Sequence, residues 1–207
     1  MPRSPISLAG FALLLVLLGF SPFAVQAQIR FDGLEGTVGY YAWSGQDFRD
    51  VEGGPRYTAG PMARLGELWQ LGLEGYYGES ELRLQTNPVS LDEYGINLVA
   101  RRAFGSLVGA HFFVLGRAGW TRLTSEIENL QTGEVTTGLS QDGFAFGPEI
   151  GAGFKPSEYL DVVWALGANW ESFGECQVFG PDDFTTGNSC SGVRWGVRIG
   201  IALGRTN

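Results

Sequence analysis

The single histidine is the first residue to test for catalytic chemistry. His111 is followed by Phe112 and Phe113, and no serine stands two residues beyond it. A hydrolytic site needs a nucleophile, a base and an orienting group within reach of one another. The neighbours of His111 supply no such set, so the sequence favours a hydrogen-bonded interior histidine over a catalytic one. We predict no catalytic residue.

Acidic residues in the polar segments could instead bind a divalent cation. Glu126 and Glu128 lie in one such segment, and Asp182 and Asp183 lie in another. Their spacing matches no calcium-binding loop, so solvated surface charge is the simpler interpretation. We predict neither a metal site nor a cofactor.

The only two cysteines, Cys176 and Cys190, fall in one polar segment. In an exported protein such a pair indicates a disulfide. The bridge would close a loop of about 15 residues and contribute about 3 kcal/mol on the chain-entropy model. Free thiols are the alternative.

Charged residues also recur at alternate positions along apolar segments, most clearly in the stretch VRWGVRIGIALG, residues 193–204. Large apolar residues occupy every second position, and glycine, alanine and arginine fill the others. A period of two indicates a strand whose side chains point to opposite faces. One face therefore suits a hydrophobic environment, whereas the other suits a narrow space that contains a few charges.

Eight segments show this alternation: 34–43, 57–66, 69–78, 93–104, 109–123, 143–154, 160–171 and 193–204. Short turns around Glu67, at Gly105-Ser106 and at Pro156-Ser157 alternate with long polar loops at 44–56, 79–92, 124–142 and 172–192. Most segments have about ten residues, the length that a tilted strand needs to cross a bilayer. The pattern predicts an all-β fold, an eight-stranded antiparallel up-and-down transmembrane β-barrel. Pro61 and Pro148 lie inside strands, where we expect local bulges.

The smaller, polar face of each strand should line the barrel. Eight strands enclose a space that side chains can fill, and buried acids and bases there should pair. We predict a salt-bridged polar interior, with a continuous pore as the alternative. Its network comprises Glu35, Arg64, Glu74, Arg101, Arg117, Glu149, Arg194 and Arg198.

Aromatic residues on the apolar face cluster near both ends of the strands. Amphipathic rings favour the boundary between acyl chains and headgroups, so two aromatic girdles are predicted. The long-loop girdle comprises Tyr57, Tyr77, Tyr94, Trp120, Phe144, Trp170 and Trp195, and the short-turn girdle includes Trp69 and Phe154.

The N-terminal residues indicate export. Arg3 precedes an apolar run from Ile6 to Phe20, and small residues flank a cleavage position after Ala27. We predict a signal peptide at 1–27 and one barrel domain at 28–207. Cleavage removes one of the 14 basic residues, Arg3, and none of the 22 acidic residues. This acidic balance argues against nucleic-acid binding.

With these features the chain resembles the small eight-stranded outer-membrane barrels of the OmpX, opacity-protein and OmpA-membrane-domain type, which are often grouped with porin-family proteins. The last strand, VRWGVRIGIALG, is the most typical stretch. The resemblance implies a monomer in the cell outer membrane of a Gram-negative bacterium that contacts lipopolysaccharide and the outer-membrane assembly machinery. It also implies surface loops that bind a ligand or support the envelope. Some such barrels are narrow channels, and a few modify lipid A, so both functions stay open as alternatives to a non-catalytic role.

Overall fold

The structure, a computed structural model, describes residues 29–45, 48, 51–66, 68–83, 88–105, 109–129, 134–174, 177–179, 184–186 and 190–204. The proposed signal peptide therefore lies outside the described residues. The part of the chain described here contains no helix that could cross a membrane.

Eight long strands form a closed antiparallel barrel, which confirms the predicted fold class. They are β1 (Ile29–Ser44), β3 (Gly54–Leu65), β4 (Trp69–Arg83), β5 (Pro88–Phe104), β6 (Ala110–Asn129), β7 (Glu134–Ser157), β8 (Leu160–Phe173) and β11 (Ser191–Leu203). Each strand pairs with the next one along the chain, and β1 pairs with β11 to close the barrel. The short β2 (Val51–Glu52) pairs with β4, and β9 (Gln177–Phe179) pairs with β10 (Phe184–Thr186).

The strands on one side of the barrel are longer than the sequence predicted. β4 and β5 pair as far as Arg83 and Pro88, and β6 and β7 pair as far as Asn129 and Glu134. Two of the predicted long loops are therefore mostly paired strand. We call this extension of β4 to β7 beyond the long-loop girdle the tall wall. The β7–β8 turn also differs, because β7 continues to Ser157 and the turn lies at 158–159.

The predicted bulges at the prolines are wrong. Ladder pairs are missing next to Pro61 between β3 and β4 and next to Pro148 between β7 and β8, yet the register on either side is unchanged. Each proline lacks one N–H donor, which removes rungs without requiring an extra residue. The described register shifts lie elsewhere, between Phe31 and Gly33, Thr124 and Glu126, and Phe154 and Ser157.

Candidate functional site in the barrel interior

Buried charge fills the barrel interior. Among the described residues, five buried glutamates and five buried arginines form its main ion pairs, and the formal charges of these ten side chains balance. The set comprises Glu35, Glu74, Glu93, Glu149, Glu171, Arg56, Arg101, Arg117, Arg194 and Arg198. Each occupies the inward position of an alternating strand, which is the geometric reason that they meet.

The central layer joins two arginines to two glutamates. Arg117 lies 2.7 Å from Glu149 and 3.4 Å from Glu74. Arg198 donates from Nε to Glu149 at 2.8 Å and lies 3.3 Å from Glu74. The Tyr41 hydroxyl donates to Glu149 at 3.4 Å. Each carboxylate therefore faces two guanidinium groups, an arrangement that offsets the desolvation of all four charges.

A second layer lies toward the short turns. Arg101 donates to Glu35 at 2.6 Å, and Arg198 reaches the same carboxylate at 3.6 Å. The Arg101 guanidinium also lies 4.6 Å from the centre of the Phe113 ring. The two layers are thus linked through Arg198, which contacts three glutamates.

A third layer lies toward the long loops and includes a residue that the sequence analysis missed. Arg56 is fully buried, lies 3.4 Å from Glu171 and 3.7 Å from Glu93, and packs 3.8 Å from the centre of the Tyr76 ring. Arg194 pairs with Glu93 and donates to Ser80 at 3.0 Å. Arg56 has the same strand parity as Arg64, and this was the signal that could have found it.

Two smaller polar groups occupy the short-turn end. Arg64 pairs with Asp32 at 3.1 Å, and Gln70 also hydrogen-bonds to that carboxylate. His111 lies inside the barrel, 3.3 Å from Asp161, as an interior hydrogen-bonded histidine would. A small cavity of about 20 Å³ beside Asp32, Glu35 and Asp161 is large enough for about one water molecule.

An apolar cluster covers the interior at the long-loop end. Phe48 stacks on Trp43 with ring centres 4.1 Å apart, and Phe173 and Cys190 complete the cluster. We call these four residues the aromatic lid. Cys176 lies outside the described residues, so the Cys176–Cys190 disulfide stays a prediction. The Trp43 ring also lies 4.8 Å from the Arg194 guanidinium, which places the lid directly on the charged interior.

The outer face of the barrel is apolar. On β11, exposed large apolar side chains occupy alternate positions from Val193 to Leu203. At roughly 3.3 Å per residue and a tilt of about 40°, this stretch spans about 25 Å, the height of a lipid-facing band. The girdle residues Tyr57, Tyr77, Tyr94, Trp120, Phe144, Trp195 and Phe154 are exposed, and Trp69 and Trp170 are partly exposed.

Outward charges lie beyond the long-loop girdle. Arg122 and Asp142 form a bidentate pair at 2.7 and 2.9 Å on the exposed surface of the tall wall. The hydrogen bond from Arg122 holds the pKa of Asp142 below its usual value. Glu126 is exposed on the same wall, whereas nothing is described for the Glu128 side chain or for Asp182 and Asp183. Among the described residues no group of three or more His, Cys, Asp or Glu side chains could hold a metal ion.

No protein-family model matches this chain, and no curated protein matches it. Several solved structures are similar to it. Neisserial surface protein A is similar at 11% identity, with a TM-score of 0.53, over 83% of this chain and 95% of that one. Ail, the attachment invasion locus protein of Yersinia pestis, is similar at 13% identity, with a TM-score of 0.41, over 83% and 98% of the two chains. The outer membrane protein OprG from Pseudomonas aeruginosa is similar at 13% identity, with a TM-score of 0.40, over 84% and 93%. The match to Neisserial surface protein A establishes a shared eight-stranded barrel fold.

Proposed function

We propose that this chain is an integral, non-catalytic outer-membrane protein. Its filled barrel anchors the tall wall at the cell surface, where the wall supports the envelope or binds a partner. The proposal includes export with cleavage after Ala27, lipopolysaccharide as the surrounding lipid, insertion by the outer-membrane assembly machinery, and a monomeric state.

The ion-paired interior carries this proposal. An ion-conducting lumen needs a continuous water-filled path, but ion pairs between strands three positions apart around the barrel cross the lumen in three successive layers. The aromatic lid adds an apolar barrier at the long-loop end. These side chains fill the space that a small solute would need, so we favour a closed anchor over a channel.

The tall wall is the part of the protein that the barrel would hold at the cell surface. From Trp120 to Asn129, β6 continues for nine residues beyond the girdle while still paired to β7. At roughly 3.3 Å per residue this is about 30 Å of strand outside the lipid band. Its described outer surface carries charged side chains, among them Glu79, Glu81 and Glu126. A hydrogen-bonded sheet holds such side chains in fixed positions, which suits recognition of a protein or polysaccharide surface.

The described contacts of His111 also favour a non-catalytic role. Its Nε2 atom faces Asp161, and its ring packs beside Phe113 in the barrel interior. A lipid substrate would have to approach from the outer face or the rim, whereas this side chain is only 5% exposed. A polar role within the interior accounts for these contacts.

Planar-bilayer recording tests the proposal on the refolded protein. Heat-modifiable mobility on a gel would first establish that a barrel has formed. We expect no steady ohmic current from that sample, because the three layers of ion pairs and the aromatic lid fill the described part of the lumen. A steady current that scales with the number of inserted barrels would overturn the closed-anchor function in favour of a channel.

A lipid-modifying activity has its own assay. Incubating the folded protein with lipopolysaccharide and analysing the lipid A by mass spectrometry should detect no change in its acyl chains. Release or transfer of an acyl chain that depends on the folded protein would contradict the non-catalytic assignment.

A further inference from the structure

Arg102 faces outward at the short-turn end of the barrel. It has the outward parity of β5, between Ala100 and the exposed Phe104, and it pairs in register with Trp69 on β4. Its guanidinium lies 5.6 Å from the Trp69 ring centre and 5.3 Å from the Phe104 ring centre. Two ring faces thus hold a positive charge at the level of the short-turn girdle.

A cation at this level of a membrane-embedded wall fits a phosphate. The girdle marks the depth of the headgroups, and a guanidinium presents five N–H donors in a geometry that matches phosphate oxygens. Because the guanidinium has five N–H donors, Arg102 can keep contacts within the protein and still donate to a phosphate. Arg122, the outward arginine near the opposite girdle, forms two hydrogen bonds with Asp142 and serves as the comparison position at the other end of the lipid band.

The wall beside Arg102 has room for a lipid chain. Ala100 and Gly116 face each other in the β5–β6 ladder, two residues nearer the membrane centre than Arg102, and Ala118 follows on the same face of β6. A Cβ atom added to Gly116 would meet no other atom within 4 Å. These small side chains leave open space on the outer face, which we call the recess. It runs from the charged position toward the membrane centre, as the acyl chain of a phospholipid does.

We propose that Arg102, Trp69 and Phe104 bind the phosphate of an anionic phospholipid in the inner leaflet, and that its acyl chain lies over Ala100 and Gly116. A phosphatidylglycerol-type lipid is the committed ligand, because its net negative charge complements the cation without a competing ammonium group. The inference rests on the membrane placement in the proposed function and extends it to a specific lipid site.

The test compares thermal unfolding in vesicles of phosphatidylcholine alone with unfolding in vesicles that also contain phosphatidylglycerol. The wild-type protein and Arg122→Gln should both unfold at a higher temperature when phosphatidylglycerol is present. Arg102→Gln should lose most of that rise, and Arg102→Lys should keep part of it. An equal rise in Arg102→Gln and in the wild type would overturn the proposal.

A second variant covers the case in which Arg102→Gln does not fold. Gly116→Val fills the recess but keeps the guanidinium, and it should retain several-fold less phosphatidylglycerol than wild type in native mass spectrometry. Unchanged retention would overturn the acyl-chain part of the site. Failure of the wild-type chain itself to give a heat-modifiable band in either vesicle would instead refute the membrane placement, and the lipid site with it.

Discussion

Arg198 is the residue on which the charged interior most depends. It contacts Glu35, Glu74 and Glu149 at 3.6, 3.3 and 2.8 Å. Replacing it with methionine keeps much of the side-chain volume but leaves three buried carboxylates with one cation fewer. Removing one partner from a buried ion pair typically costs about 3–5 kcal/mol. We expect Arg198→Met to lower the free energy of unfolding in urea by that amount.

Arg122→Met is the matched control, since Arg122 also pairs with a carboxylate but does so on the exposed surface. Exposed ion pairs contribute little, so its unfolding curve should overlay that of wild type. A double variant that also carries Glu149→Gln should recover part of the loss in Arg198→Met. If Arg198→Met and Arg122→Met proved equally stable, the interior pairs would not hold the barrel together.

Sequence patterning could predict which face of each strand is polar, but it missed individual residues at the strand ends. Arg56 follows Gly53, Gly54 and Pro55, residues that are typical of a loop, and the second strand was therefore expected to start at Tyr57. The ladder of β3 with β1 continues through Pro55 to Gly54, because sheet closure overrides their weak local preference for strand. Asp32 was missed for a similar reason, since the register shift between Phe31 and Gly33 breaks the alternation beside it.

Strands β3 and β4 approach each other closely beside Pro61, and the glycine at that position can be tested. Gly60 precedes Pro61, and a Cβ atom there would overlap the carbonyl oxygen of Leu73 on β4. The backbones approach closely where ladder rungs are missing, so glycine is needed for space. Overpacking typically costs about 1–3 kcal/mol, and we expect Gly60→Ala to destabilise the barrel by that much in urea unfolding.

Gly75→Ala provides the control, because a Cβ atom there would come no closer than 3.7 Å to the Ala59 carbonyl oxygen. This variant should unfold at the wild-type urea concentration. Equal destabilisation of the two variants would show that the loss comes from glycine replacement in general and not from close strand approach.

Strand lengths on the tall wall could not be predicted from alternation. Beyond the girdle both faces of β4 carry polar side chains, as in Glu79, Ser80 and Glu81, and the period of two that marks a lipid-facing strand disappears. These residues pair because the strands below them are already aligned and the ladder can continue upward. Backbone pairing outside the membrane thus leaves little trace in the hydrophobic pattern.

The tall wall should therefore be dispensable for barrel formation. Replacing residues 126–138 with Asn-Gly removes the outer part of the β6–β7 hairpin but none of the ten buried interior charges and none of the girdle. We expect this variant to keep its heat-modifiable mobility and to lose any partner binding that the wall supports. Loss of the mobility shift would mean that the hairpin is needed for folding.

The whole molecule has its apolar surface outside and its charges inside, and two tryptophans report this inversion at one depth. Trp195 pairs with Ala42 on the outer face and is 53% exposed, whereas the adjacent Trp43 points inward and is 7% exposed. In single-tryptophan variants reconstituted with brominated lipids, Trp195 fluorescence should be strongly quenched, because bromine quenches through contact with the lipid-facing ring. Trp43 fluorescence should be nearly unaffected, since β1 and β11 separate its ring from the acyl chains. Because the two residues lie at neighbouring ladder positions, a difference in depth cannot produce this contrast, and equal quenching would contradict the inside-out arrangement of the barrel.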